Sequence, residues 1–290
     1  MILFVADLFA DQFIGGAELT SEAIIKDSFL PVHKVNSSRV DTRLMSDYAD
    51  KFWIFGNFAA LSEECIVYAA KNLNYSVLEY DYKYCDYRLP EKHVAALGKC
   101  ECETQRRGKL VSIFFKKAKT VWFMSQRQRQ VYLDKFSFLD NTKVLSSVFS
   151  KESLKFIASL DTSKKSDKWV VLESKSWVKG TSRAVEIAKS QGLDYEMVSG
   201  LSHRDFLRKL ANSQGLIYTP IGSDTCPRIV IEAKLLDCNL ILSNNVQHKD
   251  EDWFENKKSI IDYLSTRTDV FWADIKQSRP QVKVIEVSNG

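Results

Sequence analysis

The 290-residue sequence lacks the features that mark several large classes of protein. No apolar run approaches the roughly 18–20 residues of a membrane-spanning helix, and no repeat of the solenoid type is visible. The first residues, MILFVADLFADQF, carry an acid and no basic segment, which indicates a first buried strand rather than a signal peptide. We therefore expect a cytoplasmic protein without a transmembrane segment, and peripheral contact with a membrane stays open.

Two nucleotide-binding motifs are also missing. The absence of a G-x-G-x-x-G fingerprint and of a Walker A lysine motif argues against NAD-binding and P-loop proteins, and it weakens the case for a nucleotide-sugar epimerase. The composition is that of an ordinary globular protein, with 45% hydrophobic and 27% charged residues. The net charge of +4 permits a nucleic acid or an anionic surface as a partner without requiring one.

The six cysteines include no Cys-x-x-Cys pair. Without an export signal we expect them to be reduced thiols. Cys85, His93, Cys100 and Cys102 lie in one segment, and zinc accepts such a ligand set. Their spacing matches none of the common zinc frameworks, however. The sequence therefore favours unpaired thiols packed under a loop over a metal site.

Short apolar runs alternate with helical patterns along most of the chain. The runs are continuous rather than alternating, which is typical of parallel strands that are covered on both faces. The candidate strands are residues 2–6, 52–56, 76–80, 120–124, 143–147, 169–173, 195–199, 216–220 and 240–244. The candidate helices include residues 17–28, 61–71, 126–136, 180–190, 203–212 and 227–237.

This alternation predicts an α/β fold built of βαβ units with open parallel sheets. The polar break DTSKKSDK (161–168) divides the pattern into two series of ordinary domain size. We predict two Rossmann-like domains, residues 1–160 and 161–290, whose sheets face a cleft, with the last twelve residues as a tail across either half. Ligands of such sheets bind beyond the carboxyl ends of the strands.

The loop after the first strand carries paired glycines, Gly15 and Gly16, before a helix. Glycines let the backbone approach a ligand closely, and a helix N-terminus offers free N–H groups to an anion. The alternative is a plain helix start, with Glu18 placed favourably in the first turn. The motif alone does not decide between these two interpretations.

The loop after the strand at 169–173 carries Lys175, Lys179 and Gly180 before the next helix. Two lysines at the carboxyl end of a strand, facing a cleft, suit a diphosphate leaving group. Taken without context, a lysine-bearing loop is more often solvated surface.

The stretch IGSDTCPRIVIEAKLLDCN places Asp224 before a helix and Glu232 inside it. Pro227 suits the first helical position because its missing N–H costs nothing there. A ligand across the helix N-terminus could meet both carboxylates, which accept hydrogen bonds from sugar hydroxyls. The alternative is that Asp224 is only an N-cap and that Glu232 pairs with a lysine or an arginine.

Taken in order, these motifs resemble the retaining glycosyltransferases of the GT-B fold, specifically glycosyltransferase family 4. The Gly-Gly-x-Glu loop of that family is matched by residues 15–18, and its Lys-Gly pair by residues 179–180. Its two acids separated by seven residues are matched by Asp224 and Glu232, with Ala233 next. The resemblance covers roughly residues 1–245.

The resemblance implies a role for each matched residue. Glu232 would bind the ribose of the nucleotide, and Asp224 and Thr225 would hold the donor sugar. Lys179 would stabilise the departing nucleoside diphosphate, assisted by Lys175 or Arg183 and by the backbone amides near Gly15 and Gly16. Glu18, next to these glycines, would belong to the donor site. No metal or other cofactor is required on this interpretation, because a lysine and helix dipoles carry the counter-charge.

The sequence also departs from the family pattern. Ser174 stands where the family usually has an arginine, and Lys175 is the nearest substitute. The first acid is Asp224 rather than a glutamate, and the glycine-rich stretch after it is replaced by TCPR, in which Pro227 removes an amide donor and Arg228 adds charge. These changes affect the identity of the donor more than the class of reaction.

The acceptor side of this fold belongs to the first domain. Asp81, after a strand, is a candidate for orienting an acceptor hydroxyl. The basic segment 105–119 could face an anionic acceptor, DNA or a membrane surface, although a solvated helix face is the plainer interpretation. Its basic residues are Arg106, Arg107, Lys109, Lys116, Lys117 and Lys119.

The resemblance predicts a retaining hexosyl- or pentosyltransferase. It would move a sugar from a UDP- or GDP-sugar to a hydroxyl on a glycan, a lipid-linked compound or a modified nucleic-acid base. The alternative function is a non-catalytic scaffold of the same fold that binds a nucleotide-sugar.

Overall fold

A computed structural model describes residues 1–278 of the chain. Within these residues there are ten strands: β1 (Ile2–Ala6), β2 (Val32–Asn36), β3 (Phe52–Phe55), β4 (Asn74–Glu79), β5 (Val121–Phe123), β6 (Thr142–Val144), β7 (Trp169–Leu172), β8 (Tyr195–Val198), β9 (Gly215–Tyr218) and β10 (Asn239–Leu242). The tail predicted for residues 279–290 lies outside the described residues.

Twelve α-helices accompany the strands in the same part of the chain. They are α1 (Gly16–Lys26), α2 (Thr42–Asp47), α3 (Glu63–Asn72), α4 (Pro90–Leu97), α5 (Arg106–Lys117), α6 (Gln126–Lys135), α7 (Lys151–Ala158), α8 (Thr181–Ser190), α9 (His203–Ala211), α10 (Arg228–Leu235), α11 (Lys257–Leu264) and α12 (Arg267–Ser278). No helix of residues 1–278 is long and apolar enough to cross a membrane.

The first half of the chain forms a six-stranded parallel sheet in the order β2-β1-β3-β4-β5-β6. Strand β1 lies inside it, with Ile2 opposite Val32 on one side and Phe52 on the other. All five residues of β1 are buried, as a strand covered by helices on both faces must be. The order reverses between β1 and β3, so this sheet has its switch point beside the loop that follows β1.

The second half forms a four-stranded parallel sheet in the order β10-β9-β7-β8. Its order reverses between β7 and β9, and the loops after these two strands therefore open onto a crevice at the carboxyl edge. The predicted α/β fold with two parallel sheets is confirmed. The boundary near residue 161 falls between the two sheets and stays a prediction as a domain limit.

Helix α12 returns from the second sheet to the first. The Nε1 of Trp272 donates to the carbonyl oxygen of Ile24 at 2.9 Å, and Thr120 Oγ1 donates to Asp274 at 2.7 Å. The ring of Phe271 lies 5.6 Å from that of Trp122, centroid to centroid. The last helix thus ties the two sheets together, and one hydrophobic core runs from β1 through α10 to α12.

Candidate active site

A cavity of about 640 Å³ lies between the two sheets. Its walls include the loop after β1 with the start of α1, the loop after β7, and the loop after β9 with the start of α10. These are the loops at the two switch points, where open parallel sheets bind ligands. Eight of the residues predicted for the site line this cavity, namely Gly15, Gly16, Glu18, Lys179, Asp224, Thr225, Arg228 and Glu232.

The N-terminus of α1 opens directly into the cavity. Gly15 is its N-cap and has no side chain to satisfy the free N–H groups of the first turn. The carboxylate of Glu18 turns back to the backbone N–H of its own residue. Burial raises the pKa of Glu18, and this hydrogen bond and the charge of Arg88 oppose the rise. An entering anion would therefore compete with Glu18 for the same end of the helix.

Lys179 and Asp224 meet at the centre of the cavity wall. The Nζ of Lys179 donates to Asp224 Oδ2 at 2.9 Å, and the hydroxyl of Tyr218 donates to the same oxygen. Burial alone would raise the pKa of Asp224, but the charge of Lys179 and these two hydrogen bonds hold it below its ordinary value. Asp224 is therefore an anion with its partner cation already in place, and it does not cap α10, whose N-cap is Pro227.

Gly180 sets the position of Lys179. Its φ of +65° is in the left-handed region, and a Cβ there would lie 2.2 Å from the carbonyl oxygen of Thr219. Gly180 joins the 3-10 helix Trp177–Lys179 to α8 and packs against the loop after β9. Only glycine permits both the tight turn and this close contact. The Lys-Gly pair therefore has a structural cause: the glycine lets the lysine approach Asp224.

Glu232 has two basic neighbours. Its Oε1 lies 2.8 Å from Nε2 of His203 and 3.7 Å from Nε of Arg228. Only 2% of Glu232 and 5% of Arg228 is exposed, and the Arg228 guanidinium also stacks on Phe149, 3.7 Å from the ring centre. Glu232 thus has the basic partner that the plainer interpretation predicted, although it still lines the cavity. Burial lowers the pKa of Arg228, against which the charge of Glu232 acts.

The loop after β9 also holds the two sheets together. Thr225 Oγ1 donates to the carbonyl oxygen of Tyr80 at 2.8 Å, and Ser147 Oγ donates to that of Cys226 at 2.6 Å. Arg228 adds a hydrogen bond from Nη1 to the carbonyl oxygen of Val148. Thr225, Cys226 and Arg228 therefore both line the cavity and hold the two sheets together.

A second cavity, of about 380 Å³, adjoins the first. The two share Tyr80, Ser176, Lys179, Asp224 and Thr225 in their walls. The second cavity adds a wall with aromatic and basic side chains, namely Tyr87, Arg88, Lys92 and Trp177. Lys179 and Asp224 thus stand at the junction of two chambers.

Three predicted features lie apart from the first cavity. Lys175 is exposed and lines neither chamber. Asp81 lines the second one, but Lys83 Nζ at 3.0 Å and Arg88 Nε at 2.7 Å already donate to its carboxylate. The basic residues of 105–119 line neither chamber, and α5 places several beside acidic partners, as with Arg106 and Glu63 at 2.6 Å.

Sequence reasoning missed His203, Tyr218 and Arg88. His203 is the first residue of α9, after the N-cap Ser202, and the Ser-x-x-Asp pattern there marks the start of a helix. That pattern could have located the histidine at a helix terminus, but its contact with Glu232 depends on how α9 packs beside α10. Tyr218 ends a buried strand, where an apolar role is the usual expectation.

The chain is similar to solved structures over nearly its whole length. The apo structure of OtsA aligns with a TM-score of 0.59 and 11% identity, covering 97% of this chain and 99% of that one. Anabaena Alr3699/HepE in complex with UDP and glucose aligns with a TM-score of 0.56 and 11% identity, covering 96% and 98%. An alpha-glucosyltransferase in complex with UDP and a 13-mer DNA containing a HMU base aligns with a TM-score of 0.50 and 9% identity, covering 96% and 93%.

These likenesses define the class of architecture. At 9–11% identity they establish the fold alone, and the fold they share is GT-B. No family model and no curated protein matches the sequence. The chain is therefore a GT-B fold protein with a two-chambered cleft at its switch points.

Proposed function

We propose that this protein is a retaining glycosyltransferase that moves a sugar from a nucleotide-diphospho-sugar to a hydroxyl acceptor. The observation that carries the proposal is the convergence of eight of the predicted residues on one cavity, among them the Lys179–Asp224 pair. Residues from three separate stretches of sequence, 15–18, 179 and 224–232, come together there.

The charges along the first chamber favour one orientation of the donor nucleotide. Its diphosphate would lie between Lys179 and the N-terminus of α1, because those groups supply the positive charge and the free N–H donors. Its ribose would meet Glu232, whose contacts within residues 1–278 use Oε1. The sugar would then lie beside Asp224 and Thr225, where the two chambers join.

Uridine nucleotides are the first donors to test. The HepE structure contains UDP and glucose, and the alpha-glucosyltransferase structure contains UDP and DNA. Both proteins share the fold of this chain, and their complexes support a nucleoside diphosphate in the equivalent cleft.

Catalysis would depend on stabilising the leaving group. As the bond between the sugar and the diphosphate breaks, negative charge grows on the diphosphate, and Lys179 and the α1 amides already lie where that charge appears. Departure needs no protonation of the diphosphate by an acid. Asp224 keeps Lys179 in place before the donor arrives, so that little reorganisation is required.

The acceptor would enter through the second chamber. Its hydroxyl would reach the sugar at the shared wall, beside Asp224. Lys92 is exposed on the rim, and Trp177 and Tyr87 offer aromatic faces. This lining favours an acceptor with an anionic group, which fits a phosphorylated glycan, a lipid-linked phosphate or a modified nucleic-acid base.

The test begins with thermal shifts in UDP, GDP, ADP and CMP, because a ligand at a hundred times its dissociation constant adds about 2.7 kcal/mol. The matching nucleotide-sugars are then incubated without acceptor. Slow release of nucleoside diphosphate supports the transferase. Saturable binding with no release from any sugar donor would favour the scaffold function, which the departures at Ser174 and TCPR motivate.

A further inference from the structure

Four side chains converge within residues 85–102, a segment that also supplies part of the second chamber's wall. They are Cys85, His93, Cys100 and Cys102, and their ligand atoms all lie within 4.8 Å of one another. Cys85 and Cys102 are fully buried, and His93 is 7% exposed. The sequence had favoured packed thiols because the spacing is unusual, but spacing does not report the fold of the intervening residues.

Three of the six distances between ligand atoms are close to those of a tetrahedral site. Nδ1 of His93 lies 3.4 Å from the sulfur of Cys85 and 3.2 Å from that of Cys102, and the sulfurs of Cys85 and Cys100 are 3.7 Å apart. With Zn–S bonds of about 2.3 Å and a Zn–N bond of about 2.0 Å, tetrahedral geometry places two sulfurs about 3.8 Å apart and sulfur and nitrogen about 3.5 Å apart.

We infer that Cys85, His93, Cys100 and Cys102 bind one structural zinc ion. All four positions are filled by protein groups, as in closed structural sites. The mutual distances leave room for a single ion, whereas an iron–sulfur cluster spreads its four thiolates over more than one metal. This inference does not rest on the proposed function, because metal content is measurable whatever the protein does.

The local fold explains how an irregular spacing produces this set. Helix α4 carries His93 and ends at Gly98, whose φ of +81° turns the chain back toward the start of the segment. Cys102 then begins a 3-10 helix, and Gly108 of α5 packs so closely on it that a Cβ would lie 2.1 Å from the Cys102 carbonyl oxygen. The fourth ligand is therefore fixed by packing against α5.

One neighbour outside the four ligands helps to orient the histidine. The ring of Tyr87 stacks on His93 at 4.8 Å between centroids. Groups that contact a ligand in this way fix its orientation toward the metal.

The ion would support the wall of the second chamber. Residues 85–93 supply Tyr87, Arg88 and Lys92 to that wall. Arg88 has a φ of 55°, uncommon for a residue with a side chain, and its Nη2 donates to Asn57 at 2.9 Å. Ser223 from the other sheet donates to Glu91 of the same segment. A zinc ion bound by the four ligands would fix residues 85–93 and so hold these contacts in place.

The direct test is elemental analysis of untagged protein purified without chelators. We expect about one zinc per chain, as a closed four-ligand site requires. Replacement by Co²⁺ should give a thiolate-to-cobalt charge-transfer band and the strong d–d bands of tetrahedral cobalt. Less than about 0.2 equivalents of zinc would overturn the inference, given how tightly such sites bind. A Cys85–Cys100 disulfide in the protein as purified under reducing conditions, detected by mass spectrometry, would also overturn it.

Variants make the assignment specific. Cys100→Ser changes the most exposed ligand and should lower the zinc content at least fivefold. Cys65→Ser is the matched control, because Cys65 is a buried thiol outside the cluster, 3.5 Å from the Val40 carbonyl oxygen. Equal zinc in both variants would overturn the site. The Co²⁺ spectrum of the unmutated protein keeps the test decisive if Cys100→Ser fails to fold.

A structural consequence can be measured in the same samples. The Cys100→Ser protein should become sensitive to limited proteolysis within residues 85–105, whereas the Cys65→Ser protein should stay as resistant as the unmutated protein. Unchanged protease resistance in protein shown to lack zinc would overturn the role of the ion in holding this wall.

Discussion

The Nζ of Lys179 lies 2.9 Å from Oδ2 of Asp224, so the two charged residues predicted for the donor site are partners of each other. The pair comes from loops of two different strands, β7 and β9, and Tyr218 completes it. The side chains are only 32% and 14% exposed. A ligand with negative charge would share Lys179 with Asp224 rather than find it free.

This pairing predicts opposite effects for its two members. Lys179→Gln should weaken the binding of a nucleoside diphosphate and lower transfer about 100- to 1000-fold, the cost of one preorganised donor. Asp224→Asn should bind the diphosphate at least as tightly, because Lys179 loses its competitor, while transfer falls. Calorimetric titration and initial rates measure the two effects. The control is Lys189→Gln, which changes an exposed lysine on α8. Equal losses of affinity in Lys179→Gln and Asp224→Asn would contradict the pairing argument.

The same pair predicts a thermodynamic coupling. Lys179→Gln leaves Asp224 as a buried anion, which costs on the order of 1–3 kcal/mol because the lysine is partly exposed. The double variant Lys179→Gln/Asp224→Asn removes both charges and should be more stable than the sum of the single effects. Urea unfolding of the four proteins measures the coupling, and additive effects would show that the two residues do not interact.

Glu232 should determine the preference for ribose. The unmutated protein should bind UDP about 10- to 100-fold more tightly than its 2′,3′-dideoxy analogue, as expected for hydroxyl groups bound to a carboxylate. Glu232→Gln keeps an acceptor for His203 but loses the charge, and the preference should shrink to a few-fold. Glu186→Gln, exposed on α8, should leave it intact. A preference unchanged in Glu232→Gln would remove the residue from the ribose site.

Two glycines with nearly the same φ provide a matched comparison. Gly180 and Gly192 have φ of +65° and +64°, but only at Gly180 would a Cβ meet backbone, 2.2 Å from Thr219. Gly192→Ala should cost about 1 kcal/mol of stability, the penalty of a left-handed alanine. Gly180→Ala should cost several-fold more and also reduce donor hydrolysis, because Lys179 must shift. Denaturant unfolding with a hydrolysis assay measures both, and equal costs would contradict the close-packing argument.

The sheets were predictable because their strands are parallel and buried on both faces. The nine apolar runs correspond to nine of the ten strands. Strand β2 was missed because VHKVN is an edge strand in which only Val35 is buried, so its composition resembles a loop. Helix α10 begins one residue later than predicted, with Pro227 as its N-cap.

The site was predictable where a motif sits at the end of a strand, and not where it depends on packing between elements. Lys175 was predicted beside Lys179, but Ser174 N donates to Thr181 Oγ1 at 3.1 Å, and the loop that this bond shapes leaves Lys175 exposed. The contact of His203 with Glu232 and the convergence of the cysteine cluster could be recognised only in the structure. In each case a helix, α9 or α4, brings a histidine to partners elsewhere in the sequence.

His248 predicts a pH dependence of stability. Its ring is fully buried between Trp253 and Phe254, and neither ring nitrogen has a hydrogen-bond partner within residues 1–278. Burial lowers the pKa of His248 to about 3, although the charge of Asp224 acts in the opposite direction. The folded protein therefore keeps the ring neutral, whereas the unfolded chain takes up a proton below its ordinary pKa of about 6.5.

The stabilisation from a neutral His248 is thus complete above about pH 6.5 and is lost as the pH falls toward 3. Between pH 7.5 and pH 5.0 this group should remove about 2 kcal/mol of the free energy of unfolding. His248→Phe keeps an aromatic ring between Trp253 and Phe254 but has no group to protonate, so its stability should fall by about 2 kcal/mol less over the same interval. Urea unfolding at the two pH values measures the difference, and parallel losses in both proteins would mean that His248 takes up its proton in the folded state.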